Sequence, residues 1–159
     1  MTTVAIDTNA LLAILYDDDT HADAAEAALR DAYRRGRLVI APVVYGELAA
    51  DGQFERDSDL GRFLRDMSIA VATPSREGLF HAGDAFETYT RRRPNGLRCP
   101  ECGTERTATC PDCGRDLAPR QHITADFVIG GHALADADEL VTFDRSFYES
   151  YFPDLSVTP

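Results

Sequence analysis

Four acidic residues occupy positions where an isolated charge would be costly. Asp7 ends the apolar run "TVAID", and Asp144 ends a second run, "ELVTFD". Glu47 in "VYGEL" and Asp126 in "TADFV" lie among apolar residues, in the first turns of segments whose composition predicts helices. Because an unpaired ionised carboxylate is strongly disfavoured in such surroundings, and several of them repel one another, we expect the four side chains to share a bound cation.

The chemistry of such a site follows from its oxygen ligands. Carboxylates select hard divalent cations, and Mg²⁺ or Mn²⁺ bound in this way can hold a substrate phosphate while keeping some water. The ion polarises a phosphodiester, lowers the pKa of a bound water and stabilises the departing oxygen. The four residues therefore predict phosphodiester hydrolysis. The alternative is structural: Asp7 and Asp144 would only end strands, and Glu47 and Asp126 would join hydrogen bonds at helix ends.

Every cysteine lies in one segment, "RCPECGTERTATCPDCG", which holds two Cys-x-x-Cys units. Each unit can place two thiolates on one side of a tight turn, and the Gly that follows permits the positive φ that such a turn favours. Four thiolates form a closed tetrahedral zinc site, which has no open position for water and is therefore structural. We predict a zinc knuckle at residues 94–118, with a redox or iron site, or disulfides, as alternatives. Its ligands would be Cys99, Cys102, Cys110 and Cys113.

Composition limits the size and the chemistry of the protein. The chain has 159 residues, of which 44% are hydrophobic, so we interpret 1–159 as a single domain that contains the knuckle as an insertion. It has 27 acidic residues against 16 basic ones, all Arg, and a formal net charge of -11. The absence of Lys excludes Schiff bases and the Walker lysine. A dense carboxylate surface without Lys predicts adaptation to high salt, with an ordinary acidic protein as the alternative.

The sequence predicts no targeting or membrane segment. The start, "MTTVAIDTNALLAILYDDD", lacks the early positive charge of a secretory signal and carries an acidic residue within its apolar part. No window approaches the ~20 consecutive apolar residues that span a bilayer. We therefore expect a soluble, cytoplasmic protein without a membrane partner, whose cysteines are reduced and available to a metal.

Strand-like and helix-like segments alternate along the chain. Strands are predicted at "TVAID", "RLVIA", "IAVAT" and "ELVTFD", the last being the final strand, with helical segments between them. The residues predicted to open or close helices are Gly36, Pro42, Ser75 and Thr124. This alternation predicts a three-layer α/β/α sandwich with a mostly parallel sheet. Such sheets bind ligands at the carboxyl ends of their strands, where Asp7 and Asp144 are expected.

The order of three segments resembles a known family. "AIDTNALLAIL", "VVYGEL" and "TADFVIGGHALADADELVTFDRSF" follow one another as in the PIN-domain ribonucleases, and resemble most of all the VapC toxins of toxin-antitoxin pairs. The resemblance extends over nearly the whole chain apart from the cysteine segment, and it is most specific at the two ends. It implies a PIN-like fold, a metal-dependent endoribonuclease, a homodimer and a cognate antitoxin that blocks the acidic cleft.

The resemblance also implies roles for particular residues. The catalytic and metal-binding quartet would be Asp7, Glu47, Asp126 and Asp144, holding Mg²⁺ or Mn²⁺. Thr8 and Asn9 would lie beside the metal, and Thr142 would support it through its hydroxyl. Two other functions stay open: a ribosomal-RNA maturation endonuclease and a non-catalytic RNA- or protein-binding module. In the first, a zinc ribbon usually follows the PIN domain, whereas here it interrupts the domain; the intact quartet argues against the second.

An RNA substrate suggests a role for the arginines near the cysteine segment. Residues 91–120 contain seven Arg and four acidic residues, whereas the remainder has nine Arg and 23 acidic residues. This segment is therefore the least acidic surface available to a polyanion, and Arg can bind phosphate with two hydrogen bonds. We hypothesise that Arg91, Arg92 and Arg93 guide RNA; the alternatives are a purely structural insert and an antitoxin contact. For Arg145, contact with a substrate phosphate and a surface ion pair are equal alternatives.

Overall fold

The computed structural model describes residues 1–16, 19–92, 96–98, 104–117 and 123–159. Within those ranges the centre is a five-stranded sheet in which every neighbouring pair of strands is parallel. The strands are β1 (Thr2–Ile6), β2 (Gly36–Ile40), β3 (Ile69–Val71), β6 (Glu139–Val141) and β7 (Val157–Thr158), and the order across the sheet is β3-β2-β1-β6-β7. In the described part of the insertion, β4 (Leu97–Arg98) and β5 (Glu105–Arg106) form a separate antiparallel pair.

Seven helices are present in the described ranges. They are α1 (Thr8–Leu15), α2 (Ala22–Arg35), α3 (Pro42–Ala50), α4 (Asp57–Asp66), α5 (Arg76–Arg92), α6 (Ala125–Asp136) and α7 (Arg145–Tyr151). Successive residues of β1, Val4, Ala5 and Ile6, are all buried, as expected for a parallel strand covered on both faces. The predicted α/β sandwich is therefore confirmed. In the part of the chain that the structure describes, no helix is long and apolar enough to cross a membrane.

The chain reverses its direction of travel across the sheet at β1. From β1 it continues to β2 and β3 on one side and later returns to β6 and β7 on the other. Ile6 pairs with Val141, so the carboxyl ends of β1 and β6 lie side by side. The backbone N–H of Asp7 donates to the carbonyl of Val141 at 2.9 Å, which fixes this edge. Open parallel sheets bind ligands at such a switch in strand order.

The prediction that "ELVTFD" is the final strand and ends on Asp144 is wrong. The strand β6 ends at Val141, and α7 and β7 follow it. The N–H of Phe143 donates to Asn9 Oδ1 (3.0 Å), and the N–H of Asp144 donates to the hydroxyl of Thr142 (3.1 Å). These side-chain acceptors bind the backbone donors, so the strand ends three residues earlier than predicted and Asp144 becomes the N-cap of α7.

All four predicted residues lie at helix ends, and three of them have the expected role. Pro42 begins α3, and the Ser75 hydroxyl accepts from the Gly78 N–H at the start of α5 (3.0 Å). Gly36 is the C-cap of α2, where its N–H donates to the Ala32 carbonyl. It also has an extended backbone and starts β2, where a Cβ would lie 1.8 Å from the carbonyl oxygen of Thr2. Thr124 stands before α6, but its buried hydroxyl has no hydrogen-bond partner among the described residues.

The helices α5 and α6 pack side by side in opposite directions. The N–H of Ser75, before α5, donates to the carboxylate of Asp136 at the end of α6 (2.8 Å). At the other end the rings of Tyr89 and Phe127 lie 5.5 Å apart. The end of α5 therefore lies beside the start of α6, where Asp126 is located. Between these contacts a Cβ on Gly131 would be 2.2 Å from the Gly78 carbonyl oxygen, so the two backbones touch.

This close approach predicts that Gly131→Ala destabilises the fold. The added methyl group would overlap the backbone of α5, which cannot move aside as a flexible side chain can, and overpacking of this kind costs about 1–3 kcal/mol. Gly83→Ala is the matched control, because a methyl group added there would meet no other part of the fold within 4 Å. It should stabilise α5 by about 0.5–1 kcal/mol. Urea unfolding of both variants measures the difference; equal midpoints would contradict the packing.

Candidate active site

The four predicted carboxylates open onto one cleft of about 440 Å³ at the carboxyl edge of the sheet. They come from the end of β1, the middle of α3, the start of α6 and the residue before α7. Asp7 is 4% exposed, whereas Glu47 and Asp126 are half-buried and Asp144 is exposed. The expectation of several deeply buried charges therefore holds for Asp7 alone among the four. Glu47 also lies in the second turn of its helix and not in the first.

Hydrogen bonds from neutral groups fix the carboxylate of Asp7. Its Oδ1 accepts from the Thr8 N–H at 2.7 Å, which makes Asp7 the N-cap of α1. Its Oδ2 accepts from Asn9 Nδ2 (2.8 Å), Thr142 Oγ1 (2.6 Å) and Tyr148 OH (3.2 Å). These donors come from α1, from the end of β6 and from α7. The side chain of Asp7 therefore joins three elements and has little freedom to rotate.

Burial raises the pKa of Asp7 from 3.8 to about 6, and the negative charge of Asp126 adds to this effect. The hydrogen bonds from Thr142, Thr8 and Tyr148 oppose it but do not cancel it. Glu139, which is buried at the opposite edge of the sheet, behaves differently because its ion pair with Arg35 lowers its pKa. Asp7 is thus a buried carboxylate held by neutral donors, and a bound cation would stabilise its charged form.

The residues predicted to support the site lie next to the carboxylates. Thr8 Oγ1 donates to Glu47 Oε2 and so connects α1 with α3. Asn9 Nδ2 donates to Thr142 Oγ1 at 3.1 Å, in addition to its bond with Asp7. These three side chains therefore hold carboxylates in place. Their contact with a metal stays a prediction.

The donor set suits a hard divalent cation, although the side chains do not enclose one as they stand. Among the described residues, no group of three or more His, Cys, Asp or Glu side chains is placed to hold a metal ion. The oxygen ligands of the cleft are nevertheless those that Mg²⁺ and Mn²⁺ prefer. The carboxylate of Asp144 is exposed, and its Oδ1 accepts from the Phe147 N–H at 3.3 Å.

Sequence reasoning missed a buried residue that contacts Asp7 and another that lines the cleft. Tyr148 is 1% exposed and lies on α7, a helix that was not predicted. Burial and the charge of Asp7 raise the pKa of Tyr148, so the phenol stays protonated and donates to Asp7. The aromatic spacing in "DRSFYESYF" was the signal that could have indicated this helix. Asp51 also lines the cleft and accepts from Tyr16 OH at 2.8 Å. Its position four residues after Glu47 places both on one helix face.

The predicted RNA-binding arginines are placed differently from one another. Arg91 and Arg92 are exposed in the last turn of α5, and Arg91 pairs with Glu87 at 2.8 Å. Arg93 lies outside the described residues. The guanidinium of Arg145 binds Glu149 (2.9 Å) and the carbonyl oxygens of Val157 and Pro159. Its contacts favour the ion-pair alternative for Arg145.

Two of the four predicted zinc ligands are described. Cys110 and Cys113 are free thiols, whereas Cys99 and Cys102 lie outside the described residues. The backbone N–H groups of Asp112 and Cys113 donate to the Cys110 thiol and hold its pKa below its usual range. The zinc knuckle stays a prediction.

A larger cavity, of about 510 Å³, lies elsewhere on the molecule and has a mostly apolar lining that includes Leu29, Tyr33 and Met67. None of the predicted site residues lines it. The smaller cleft is therefore the candidate active site because of its chemistry and its place in the fold.

A family model of the PIN domain matches residues 4–96, more than half of the chain. The chain belongs to the PIN domain family. PIN domains generally use divalent metal ions such as Mg²⁺. The matched range includes Asp7 and Glu47 and ends before the cysteine segment. No curated protein matches the chain significantly.

Solved structures share the PIN fold over almost the whole chain. VapBC2 from Rickettsia felis bound to a promoter DNA fragment has a TM-score of 0.60 at 16% identity, and the match covers 98% of this chain and 97% of that one. VapBC-1 from nontypeable Haemophilus influenzae has a TM-score of 0.62, also at 16% identity, and the match covers 98% and 96% of the two chains. At this identity the likeness shows the fold. It extends beyond the family match to the region of Asp126 and Asp144.

The raised pKa of Asp7 predicts a specific pH dependence of stability. Between about pH 4 and pH 6 the folded state keeps a proton on Asp7 that the unfolded state has lost. The metal-free protein therefore becomes less stable as the pH rises through this range. The contribution of Asp7 to this loss is up to about 3 kcal/mol. Asp7→Asn should remove this part of the slope. Chemical unfolding at several pH values measures it, with the exposed Asp84→Asn as the control.

A divalent ion extends the same test. If the carboxylates bind Mg²⁺, adding it at pH 8 should raise the stability of the wild-type protein and of Asp84→Asn, and should have much less effect on Asp7→Asn. If the stability of the wild-type protein and of Asp7→Asn depends on pH in the same way, burial of the Asp7 carboxylate does not destabilise the fold as predicted.

Proposed function

We propose that the protein is a metal-dependent endoribonuclease that hydrolyses RNA phosphodiester bonds and acts as the toxin of a type II toxin-antitoxin pair. The observation that supports this most is that four carboxylates from four separate elements open onto one cleft of a PIN fold. A carboxylate quartet at the switch point of a parallel sheet is suited to hold a divalent ion against a phosphate.

In the proposed mechanism, the quartet of Asp7, Glu47, Asp126 and Asp144 would hold Mg²⁺ or Mn²⁺. Asp7 would be the fixed ligand, because three neutral donors hold its Oδ2 in one orientation. The Thr8 hydroxyl orients Glu47 toward the same cleft. When bound, the ion supplies an activated water and stabilises the departing oxygen. Tyr148 excludes water from the inner side of Asp7, where its ring is buried.

The proposed partners are RNA, a protein antitoxin and a second copy of the chain. Both structural neighbours are VapBC complexes by name, which supports an antitoxin as partner. The exposed side chains of Leu79 (51%) and Phe80 (74%) on α5 offer apolar surface for a protein partner. We place the protein in the cytoplasm, where its RNA substrate would be.

Replacing members of the quartet should abolish cleavage. Asp7→Asn and Asp126→Asn keep the size of the side chain but remove a charged ligand, so Mn²⁺-dependent cleavage of single-stranded RNA should fall by about 100-fold or more. Gel assays of purified protein measure the rate, and circular dichroism checks the fold. Asp84→Asn, an exposed residue on α5, should cleave RNA as the wild type does. Undiminished cleavage by both quartet variants would overturn the proposed enzyme activity.

The same variants distinguish the toxin from its alternatives. A toxin should arrest growth when expressed alone, and the arrest should disappear with Asp7→Asn. A ribosomal-RNA maturation endonuclease would instead leave growth intact and cut defined precursor sites. A non-catalytic RNA- or protein-binding module would bind its partner without metal-dependent cleavage.

The fold supports RNA guidance by the arginines at the end of α5. That end packs beside the start of α6, because Tyr89 contacts Phe127, the residue after Asp126. Arg91 and Arg92 are therefore near the side of the protein on which the cleft opens, and both are exposed. In a protein with a net charge of -11, a local group of Arg gives a polyanion a favourable approach to acidic residues.

Changing Arg91, Arg92 and Arg93 to Ala should weaken RNA binding and make it less dependent on salt. For single-stranded RNA, each lost phosphate contact should reduce the slope of log K against log salt concentration by about 0.7. Fluorescence anisotropy in Ca²⁺, at several salt concentrations, measures both quantities. The matched control changes Arg30, Arg34 and Arg37, at the opposite edge of the sheet, to Ala. An equal effect of the two triple variants would show that only net charge matters.

A further inference from the structure

Two aromatic rings are stacked beside the cleft, outside the set of residues that lines it. The rings of His21 and Phe143 are nearly parallel, with centroids 4.5 Å apart and an interplanar angle of 18°. In the core, by contrast, the rings around the buried Phe127 meet it at angles of 50° to 75°. Aromatic pairs favour either arrangement, but a parallel pair leaves a flat outer face.

Both residues lie at the carboxyl edge of the sheet, where the cleft opens. Phe143 comes directly before Asp144, and its N–H donates to Asn9 Oδ1 at 3.0 Å. The amide nitrogen of the same Asn9 donates to Asp7 (2.8 Å), so one side chain holds the backbone of Phe143 and the buried carboxylate. His21 stands before α2, which ends where the parallel strand β2 begins, so the start of α2 also lies at this edge. The pair is therefore fixed next to the cleft.

The fold holds the pair in place and leaves its outer ring open. Phe143 is half-buried and packs against the hydrophobic core. His21 is held by its backbone, since its N–H donates to Asp19 Oδ1 at 2.7 Å and its carbonyl accepts from the Ala25 N–H at 2.8 Å. The residue is nevertheless exposed. Because one face of the imidazole lies on Phe143, the exposed part is the opposite face together with the ring edges.

A flat ring in this position suits an unstacked nucleobase. Proteins that bind single-stranded RNA stack its bases on Phe, Tyr, Trp or His, and such stacking tolerates any base because every base has a π face. A base carries no charge, so the carboxylates of the cleft do not repel it as they repel a phosphate. The structural alternative is that the pair only joins the start of α2 to the loop after β6.

We propose that the imidazole of His21 is a stacking platform for one base of the RNA strand whose phosphate enters the cleft. Phe143 positions this ring from the core side and does not touch the base. The platform rests on the proposed ribonuclease function, to which it adds affinity for single-stranded RNA without selecting a particular base. It also favours single strands over duplexes, whose bases are already stacked.

RNA binding without cleavage tests the platform. Fluorescence anisotropy measures the affinity of the full-length protein for a labelled oligouridylate, with Ca²⁺ in place of Mg²⁺, at several salt concentrations. His21→Ala should weaken binding about five- to tenfold, the effect of losing one stacked base. The slope of log K against log salt concentration should not change, whereas loss of a phosphate contact would reduce it by about 0.7.

Three further variants separate stacking from other roles. His21→Phe keeps an aromatic ring without the imidazole nitrogens and should bind RNA as the wild type does. His21→Gln keeps a polar side chain without a ring and should bind as weakly as His21→Ala. The matched control is His81→Ala, which changes a histidine of α5 with a 39% exposed side chain and should leave the affinity unchanged.

A purely structural role predicts a different result. If the pair only joins α2 to the loop after β6, His21→Ala should lower the urea midpoint and leave RNA affinity unchanged, which would overturn the proposal. A reduced salt slope, or failure of His21→Phe to bind as the wild type does, would also overturn it, because His21 would then act through its nitrogens.

The platform and the proposed ribonuclease function can fail separately. Wild-type protein that binds and cleaves RNA, while His21→Ala binds equally well, would contradict the platform alone. Absence of RNA binding in the wild type and in every variant would overturn the proposed function and the platform with it.

Discussion

The buried carboxylate of Asp7 is the constraint on which the site depends. It caps α1 through the Thr8 N–H and accepts from Asn9, Thr142 and Tyr148. These contacts connect the ends of β1 and β6 with the middle of α7. The same contacts leave the carboxylate without a cationic neighbour among its hydrogen-bond donors, and burial raises its pKa. The network therefore organises the fold locally while keeping an unfavourable charge at the cleft.

The two edges of the sheet show two ways of burying an acid. At the amino edge, Arg35 from the end of α2 pairs with Glu139, and the Thr158 hydroxyl donates to it as well (2.9 Å). At the carboxyl edge, Asp7 has neutral donors and the charge of Asp126 nearby. The half-exposed Arg35 balances the charge of the buried Glu139, so the first arrangement is complete without a ligand. The second keeps an uncompensated cost of burying the Asp7 charge, which a bound cation would offset, and this is a reason to propose the function there.

The sequence predicted the regular parts of the fold and the convergence of the quartet. The strands that became β1 and β2 are short apolar runs, and parallel strands end at one edge, so Asp7 and Asp144 were expected to meet. That Gly36 also starts β2 could not be predicted, because its close approach to the Thr2 carbonyl depends on the register of two strands. The end of β6 was missed for a similar reason. Asn9, 134 residues away from Phe143, accepts the N–H that would have continued the strand.

Net charge sets a further condition on the proposed activity. A protein with 27 acidic and 16 basic residues repels RNA at low salt, and the cleft itself is lined by carboxylates. High salt shortens the Debye length to about 3 Å at 1 M, so distant carboxylates no longer oppose the approach of RNA to the cleft. Ions bound directly to their ligands are much less affected by this screening. The acidic surface and a metal-filled acidic cleft are therefore compatible in concentrated salt. There, close contacts from exposed arginines near the cleft would contribute more to RNA binding than the overall field of the protein does.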